Sequence, residues 1–326
     1  ILGLSVVSII LIGGYTRISD SGLSITEWLP VSGILYPLSE SSWLIEFNKY
    51  KMIDEFILIN SSMTLEEFKV IYFWEWFHRF FARLVGLLYL IPLLYLIISK
   101  NMPHGYYFLI LLIGFLLAVQ AIVGWYMVKS GLTGRVDVSQ YRLSLHLTIA
   151  FIILGLIFYS LLRFIYNHAV NEDMARNSNL VMTLFVFIFF QIIYGAFVSG
   201  TDSGLLYNTW PFYNGNLVPG NLFIQNEYLY NFFENKDFIV FFHRTFTFAL
   251  LFLITYLNFL IFIKIPKYET LVLIIFFDVI FVIQGGIGVL MTFLNIPWYL
   301  ALAHQANSIV LFLLSIYMWA LSRKSS

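Results

Sequence analysis

Residues 71–98 read IYFWEWFHRFFARLVGLLYLIPLLYLII. A helix needs about 20 mostly apolar residues to cross a bilayer, and this stretch supplies 28. Glu75, His78, Arg79 and Arg83 all sit in its first half, and the rest runs apolar to Ile98, interrupted only by Pro92. Seven further stretches qualify as spans: 1–17, 106–128, 141–165, 179–199, 238–263, 269–293 and 298–321. The expected fold is therefore all-α: a polytopic membrane protein with eight transmembrane helices.

Composition agrees. Of the 326 residues, 60% are hydrophobic and 11% charged, against about 45–50% and about 25% in a soluble domain. No single globular core hides that excess, because cores stop growing near ~250–300 residues. The lipid bilayer is the expected surroundings. A net charge of zero suggests no nucleic-acid partner. The absence of cysteine excludes disulfides, thiolate metal sites and covalent c-type haem. The chain opens at Ile1 inside an apolar run without an initiator Met, so further residues are expected before it.

Two long polar connections stand out, 18–70 and 200–237. The first holds amphipathic stretches near Trp43–Tyr50 and Thr64–Lys69. Thr64-Leu65-Glu66-Glu67 has the form of a capping box leading into the second span. Lys and Arg crowd the shorter loops on the side that holds both termini. The positive-inside rule places that side in the cytoplasm or matrix and the two long loops outside.

The spans repeat. Gly13…Asp20-Ser21-Gly22-Leu23…Trp28 aligns with Gly195…Asp202-Ser203-Gly204-Leu205…Trp210 at one offset. His78-Arg79 matches His243-Arg244, Gln120-x-x-x-Gly124 matches Gln284-x-x-x-Gly288, and His146 matches His304. Each match holds the same place in a four-span unit. Two pseudo-symmetric four-helix bundles are expected, 1–167 and 178–322. An even number of spans per unit puts the symmetry axis along the membrane normal.

Six histidines are present. His104 and His168 fall in loops and are read as surface residues. The other four open the second and fourth spans of each half. At 1.5 Å per residue they lie ~25–30 Å from the far face, in one layer near the outer surface. A lone intramembrane histidine can serve as hydrogen-bond glue, but buried ionisable groups are expensive and usually functional. Two imidazoles per bundle suit axial ligation of haem iron. Zinc would want three or four ligands in one cluster. Arg79, Arg83 and Arg142 in the first half and Arg244 in the second are candidates for haem propionates or, alternatively, lipid headgroups. Glu75 lies one turn before His78, whereas its counterpart is Val240. A carboxylate there can shuttle protons, so the first half is expected to do chemistry and the second to hold a haem for structure or electron transfer.

Several segments together resemble the haem A synthase family. They include Gly14-Tyr15-Thr16-Arg17, Ser21-Gly22-Leu23-Ser24, Trp28-Leu29-Pro30 and Glu75-Trp76-Phe77-His78-Arg79. Gly124-Trp125-Tyr126-Met127-Val128-Lys129-Ser130-Gly131-Leu132 and Ser139-Gln140-Tyr141-Arg142-Leu143-x-x-His146 follow. In the second half they are Gly195-Ala196-Phe197-Val198-Ser199-Gly200, Tyr207-Asn208-Thr209-Trp210-Pro211, Phe242-His243-Arg244 and His304-Gln305. The resemblance spans the whole chain and is nearest the alphaproteobacterial and mitochondrial branch.

It implies an oxidoreductase that converts a methyl of haem O to a formyl group, giving haem A, by successive hydroxylations with water as oxygen source. It implies haem O between His78 and His146, with Glu75 needed for turnover, and a resident haem B on His243 and His304. The implied location is a bacterial or mitochondrial inner membrane. An electron acceptor is also implied, and haem O synthase and further copies of the chain are candidate partners. Two departures stand out. The outer-loop cysteine pair of some members is missing, and Ala82 stands where members tend to have Gly. The competing readings are a bis-histidine dihaem electron carrier, which wants haems near both faces, and a two-repeat transporter, which wants paired helix breaks at the midplane.

Overall fold

The computed structural model describes residues 1–166, 170–224 and 228–323. His168 and Lys324 lie outside the described residues. Among the described residues twelve α-helices follow one another: α1 (Leu2–Ile18), α2 (Glu40–Tyr50), α3 (Asp54–Leu58), α4 (Leu65–Ile98), α5 (Tyr107–Gly131), α6 (Gln140–Tyr166), α7 (Glu172–Arg176), α8 (Ser178–Gly200), α9 (Tyr228–Phe233), α10 (Lys236–Phe262), α11 (Tyr268–Phe293) and α12 (Trp298–Ser322). No strand occurs among the described residues. Among the described residues seven helices are long and apolar enough to cross a membrane: α4, α5, α6, α8, α10, α11 and α12. The apolar α1 is shorter, at 17 residues. The protein is thus a multi-pass, all-helical membrane protein.

Local chemistry explains where α4 starts. The Thr64 hydroxyl accepts from the Glu67 N–H, and the Glu67 carboxylate accepts from the Thr64 N–H. This reciprocal box satisfies two of the donors that every helix start leaves orphaned. The stretch Thr64–Lys69 is therefore the first turn of α4 and not a separate amphipathic helix. Nor does Pro92 break the span: α4 runs through it to Ile98.

The chain divides into two compact units, Ile1–Leu154 and Gly155–Ser326. In the first, α1 and α2 pack on α4. Trp43, Phe47, Tyr50, Phe68 and Tyr72 form an aromatic core between the outer loop and the start of α4. Trp43 meets Tyr72 edge-on at 5.2 Å and Phe47 meets Phe68 at 4.9 Å. Such pairs favour one arrangement of the loop beyond their buried area. In the second unit α8 packs on both α10 and α12, and α11 on α12. Its core is mostly aliphatic, built on Leu184, Ile188, Leu250, Ile254, Leu257, Ile274 and Leu311, with Phe277 among them.

The turn after the first helix of each repeat has the same backbone. Asp20 and Asp202 adopt φ of 47° and 53°, a region that short polar side chains tolerate. The next residue, Ser21 or Ser203, is fully buried.

Candidate functional site

Each of the four intramembrane histidines packs against a glycine of a neighbouring helix. His78 on α4 faces Gly13 of α1, and His146 on α6 faces Gly124 of α5. His243 on α10 faces Gly195 of α8, and His304 on α12 faces Gly288 of α11. A Cβ added to Gly13 would stand 2.9 Å from His78 Cε1, and one on Gly124 3.0 Å from His146 Cε1. At Gly195 and Gly288 the distance is 3.3 Å. The glycines therefore provide imidazole-shaped cradles. In each cradle Cε1 is the ring atom nearest the glycine, with Nδ1 next, and in the first unit Gln120 Nε2 stands 3.3 Å from His146 Nε2.

All four Nδ1 atoms are buried and lack a hydrogen-bond partner. A buried polar atom left so costs about 1–3 kcal/mol. The four stand at equivalent positions of the two units. His78 and His146 lie within electrostatic reach of each other, as do His243 and His304. The histidines thus come as two pairs, one per unit. No group of three or more His, Asp or Glu side chains suited to a metal ion occurs among the described residues. Two imidazoles per site, in cradles a methyl group would fill, fit an axially ligated haem and not a zinc centre.

Glu75 is buried at 2% exposure. Its Oε2 accepts from the Ser24 hydroxyl and the Ile25 N–H, both at 2.7 Å, and its Oε1 accepts from Arg79 Nη2 at 2.5 Å. The ion pair with Arg79 joins neighbours one turn apart on α4, and both side chains are largely buried in the protein. A carboxylate has room for about four donors. Three are in place, so Oε1 keeps capacity for one more. Val240 is likewise buried in the second unit, where Leu206 replaces Ser24 at the aligned position.

The arginines hold the returning outer loops. Arg79 donates to the carbonyls of Ile25 and Glu27, each at 2.9 Å. Arg244 donates to those of Tyr207 and Thr209 at 2.9 and 3.0 Å. These carbonyls align in the repeat, so one guanidinium clamp is built twice. Arg83 donates to Pro30 and Leu29, and Arg142 donates to Tyr126 O at 2.6 Å while stacking on its ring. Arg79 lines both a cavity of about 480 Å³, shared with Arg83, and one of about 310 Å³, shared with Trp28, Trp125 and Lys129. Neither cavity reaches His78 or His146.

Several residues at the site escaped sequence reasoning. Gln120 Nε2 donates to His146 O at 3.0 Å, and Gln191 Nε2 donates to His243 O at 2.8 Å. Asn307 Nδ2 donates to Gln284 Oε1 at 2.8 Å. Gln120 and Gln284 were visible as a repeated pair, but no sequence signal links either to its partner. His104 is exposed in the turn before α5, as a surface residue should be.

Helices that bury paired imidazoles in a bilayer define a polytopic membrane protein with the ligand set of a membrane haem protein. Residues 1–316 match the COX15-CtaA family, described as cytochrome oxidase assembly protein, and the chain belongs to that family. It is 38% identical over 320 residues to a protein named heme A synthase from Rhizobium rhizogenes, covering 97% of this chain and 86% of the relative. A heme A synthase from Wolbachia pipientis is 40% identical, covering 96% and 93%. One from Pelagibacter ubique is 39% identical, covering 98% and 94%.

Proposed function

We propose that this chain is a haem A synthase, an oxidoreductase of the bacterial inner membrane that converts a methyl group of haem O to the formyl group of haem A. The observation that carries the reading is the pairing of four glycine-cradled histidines, accompanied by a buried carboxylate, Glu75, one turn from His78, where the second unit has Val240. In this reading α1 counts as an eighth span, and the chain is two pseudo-symmetric four-helix halves, 1–167 and 178–322.

The first half binds the substrate haem O between His78 and His146. The second holds haem B on His243 and His304, which supplies one-electron redox chemistry when bound. Glu75, fixed by Ser24, Ile25 and Arg79, takes up a proton released as the methyl group is oxidised. Its position one turn from His78 keeps it beside the substrate edge. The clamps at Arg79 and Arg244 hold the outer loops over the two sites and exclude water from them. Guanidinium N–H groups of Arg79, Arg83, Arg142 and Arg244 would meet the haem propionates.

The test is haem extraction and chromatography of protein purified from cells that also make haem O. Haem B together with haem O or haem A is the expected content. Haem B alone would sink the synthase reading and favour an electron carrier.

A further inference from the structure

The two aligned glutamines, Gln120 and Gln284, differ in one respect. In the second unit Gln284 Oε1 accepts from Asn307, three residues after His304. Asn307 is itself held, donating also to Ile280 O at 3.0 Å. In the first unit the residue three after His146 is Ile149, which is buried and has nothing to donate. Gln120 Oε1 is consequently buried without a partner. Its orientation is settled by chemistry: His146 O only accepts, so the amide N–H must face it and the oxygen must face away. The second unit has an open amide oxygen too, that of Gln191. It stands beside His243 and is fixed by Thr247, where the first unit has Ile9 and Ala82.

We infer that Gln120 Oε1 accepts a hydrogen bond from an alcohol O–H on the substrate haem, and that Gln120 is a specificity-determining residue for haem O over haem B. This inference rests on the reading that the first half binds haem O. Haem O differs from haem B by a hydroxyalkyl substituent in place of a vinyl group. Its hydroxyl is a donor at the macrocycle edge, and haem B has none. Gln120 precedes Gly124, the cradle of His146, by four residues, and so lies ~6 Å along α5 from it, toward the interior of the span. That is the side away from Arg142, which stands one turn outward of His146, and the side on which an apolar tail enters lipid. A site built to hydrogen-bond a substrate hydroxyl rejects the analogue that lacks it, because the protein's buried group is then left unpaired. The Gln284–Asn307 bond removes the equivalent acceptor from the second half.

Two variants test the assignment. Gln120→Met removes the acceptor. I149N installs the second unit's donor beside Gln120, capping its oxygen and leaving its bonds to His146 in place. Detergent-purified holoprotein is exchanged with mixtures of haem O and haem B, and the haem retained in the first half is identified by chromatography. The low-spin spectrum of the second half reports folding. Both variants should lower the haem O preference about tenfold, with N307I and Gln191→Met leaving it unchanged. Equal preference in wild type, Gln120→Met and I149N, with the second-half spectrum intact, overturns the inference. So does an equal loss in N307I. A wild type that takes up no haem O at all overturns the functional reading instead. The hydroxymethyl intermediate of the reaction is also an alcohol. A defect seen only as its release, with haem O preference unchanged, assigns the contact to that group and refutes the one proposed.

Discussion

At Arg79 and Arg244 the two units are chemically the same: each guanidinium holds two aligned carbonyls of a returning loop. Four residues earlier they part. The first unit buries Glu75 against Ser24, and the second buries Val240, with Leu206 at the position of Ser24. The carboxylate and its hydroxyl donor are present together or absent together. A buried carboxylate without donors is costly, and so is a buried hydroxyl without an acceptor. The scaffold and its clamps are shared, and the acid with its support is the part that specialises one unit.

The largest effect expected on this comparison comes from the histidines. His78→Ala should abolish haem O and haem A content and leave haem B, while His243→Ala should do the reverse, as read by extracted haem per polypeptide. Loss of both haems in either variant would show that the units do not bind independently. Next, Glu75→Gln should keep haem content but lower haem A formation by about 10²–10⁴-fold, the usual worth of a positioned proton-transfer group. Val240→Glu should give no second synthase site. It places a carboxylate where no donors wait, and should destabilise the second unit by about 3–5 kcal/mol. Haem A output unchanged in Glu75→Gln would remove the distinction between the units.

A smaller, graded effect is expected at the cradles. The added Cβ of Gly13→Ala meets His78 Cε1 at 2.9 Å, whereas that of Gly195→Ala meets His243 Cε1 at 3.3 Å. Overpacking costs about 1–3 kcal/mol, so Gly13→Ala should weaken haem retention in its unit more than Gly195→Ala does in the other. Equal loss would show that the tighter cradle has no consequence.

The smallest effect concerns Glu55, in the outer loop of the first unit. Burial, then the neighbouring charges of Asp20, Glu75 and Asp137, push its carboxyl up to about 8, while the Tyr50 hydroxyl pulls the other way. The folded state therefore holds a proton that the unfolded chain releases near the ordinary value of 4.5. Its contribution to stability is full below that value and is lost as pH rises through about 8. The thermal stability of the first unit should fall between pH 5 and pH 9. Glu55→Gln should flatten that slope without altering the second unit, and an unchanged slope would exclude Glu55 as its source.

Much of this was legible in the primary structure. The apolar runs announced the spans, because the bilayer leaves a chain few alternatives to a helix of about 20 residues. The capping box at Thr64 and Glu67 was equally plain, since it joins residues three apart. His78, His146, His243 and His304 stood out because an ionisable side chain in lipid needs a reason, and the repeat sorted them into pairs. The span 71–98 also held, with α4 running through Pro92 to Ile98.

The sequence by itself thus determined the solvent, the helices, the repeat and the ligand candidates. All of these follow from side-chain chemistry and from spacings within one helix. Only the tertiary structure decided what surrounds those candidates. Ser24 reaches Glu75 across 51 positions, Gly13 cradles His78 across 65, and Asn307 caps Gln284 while Gln120 stays open. Such contacts depend on which helix faces lie together. No periodicity records that, because packing is settled by the whole set of neighbours at once.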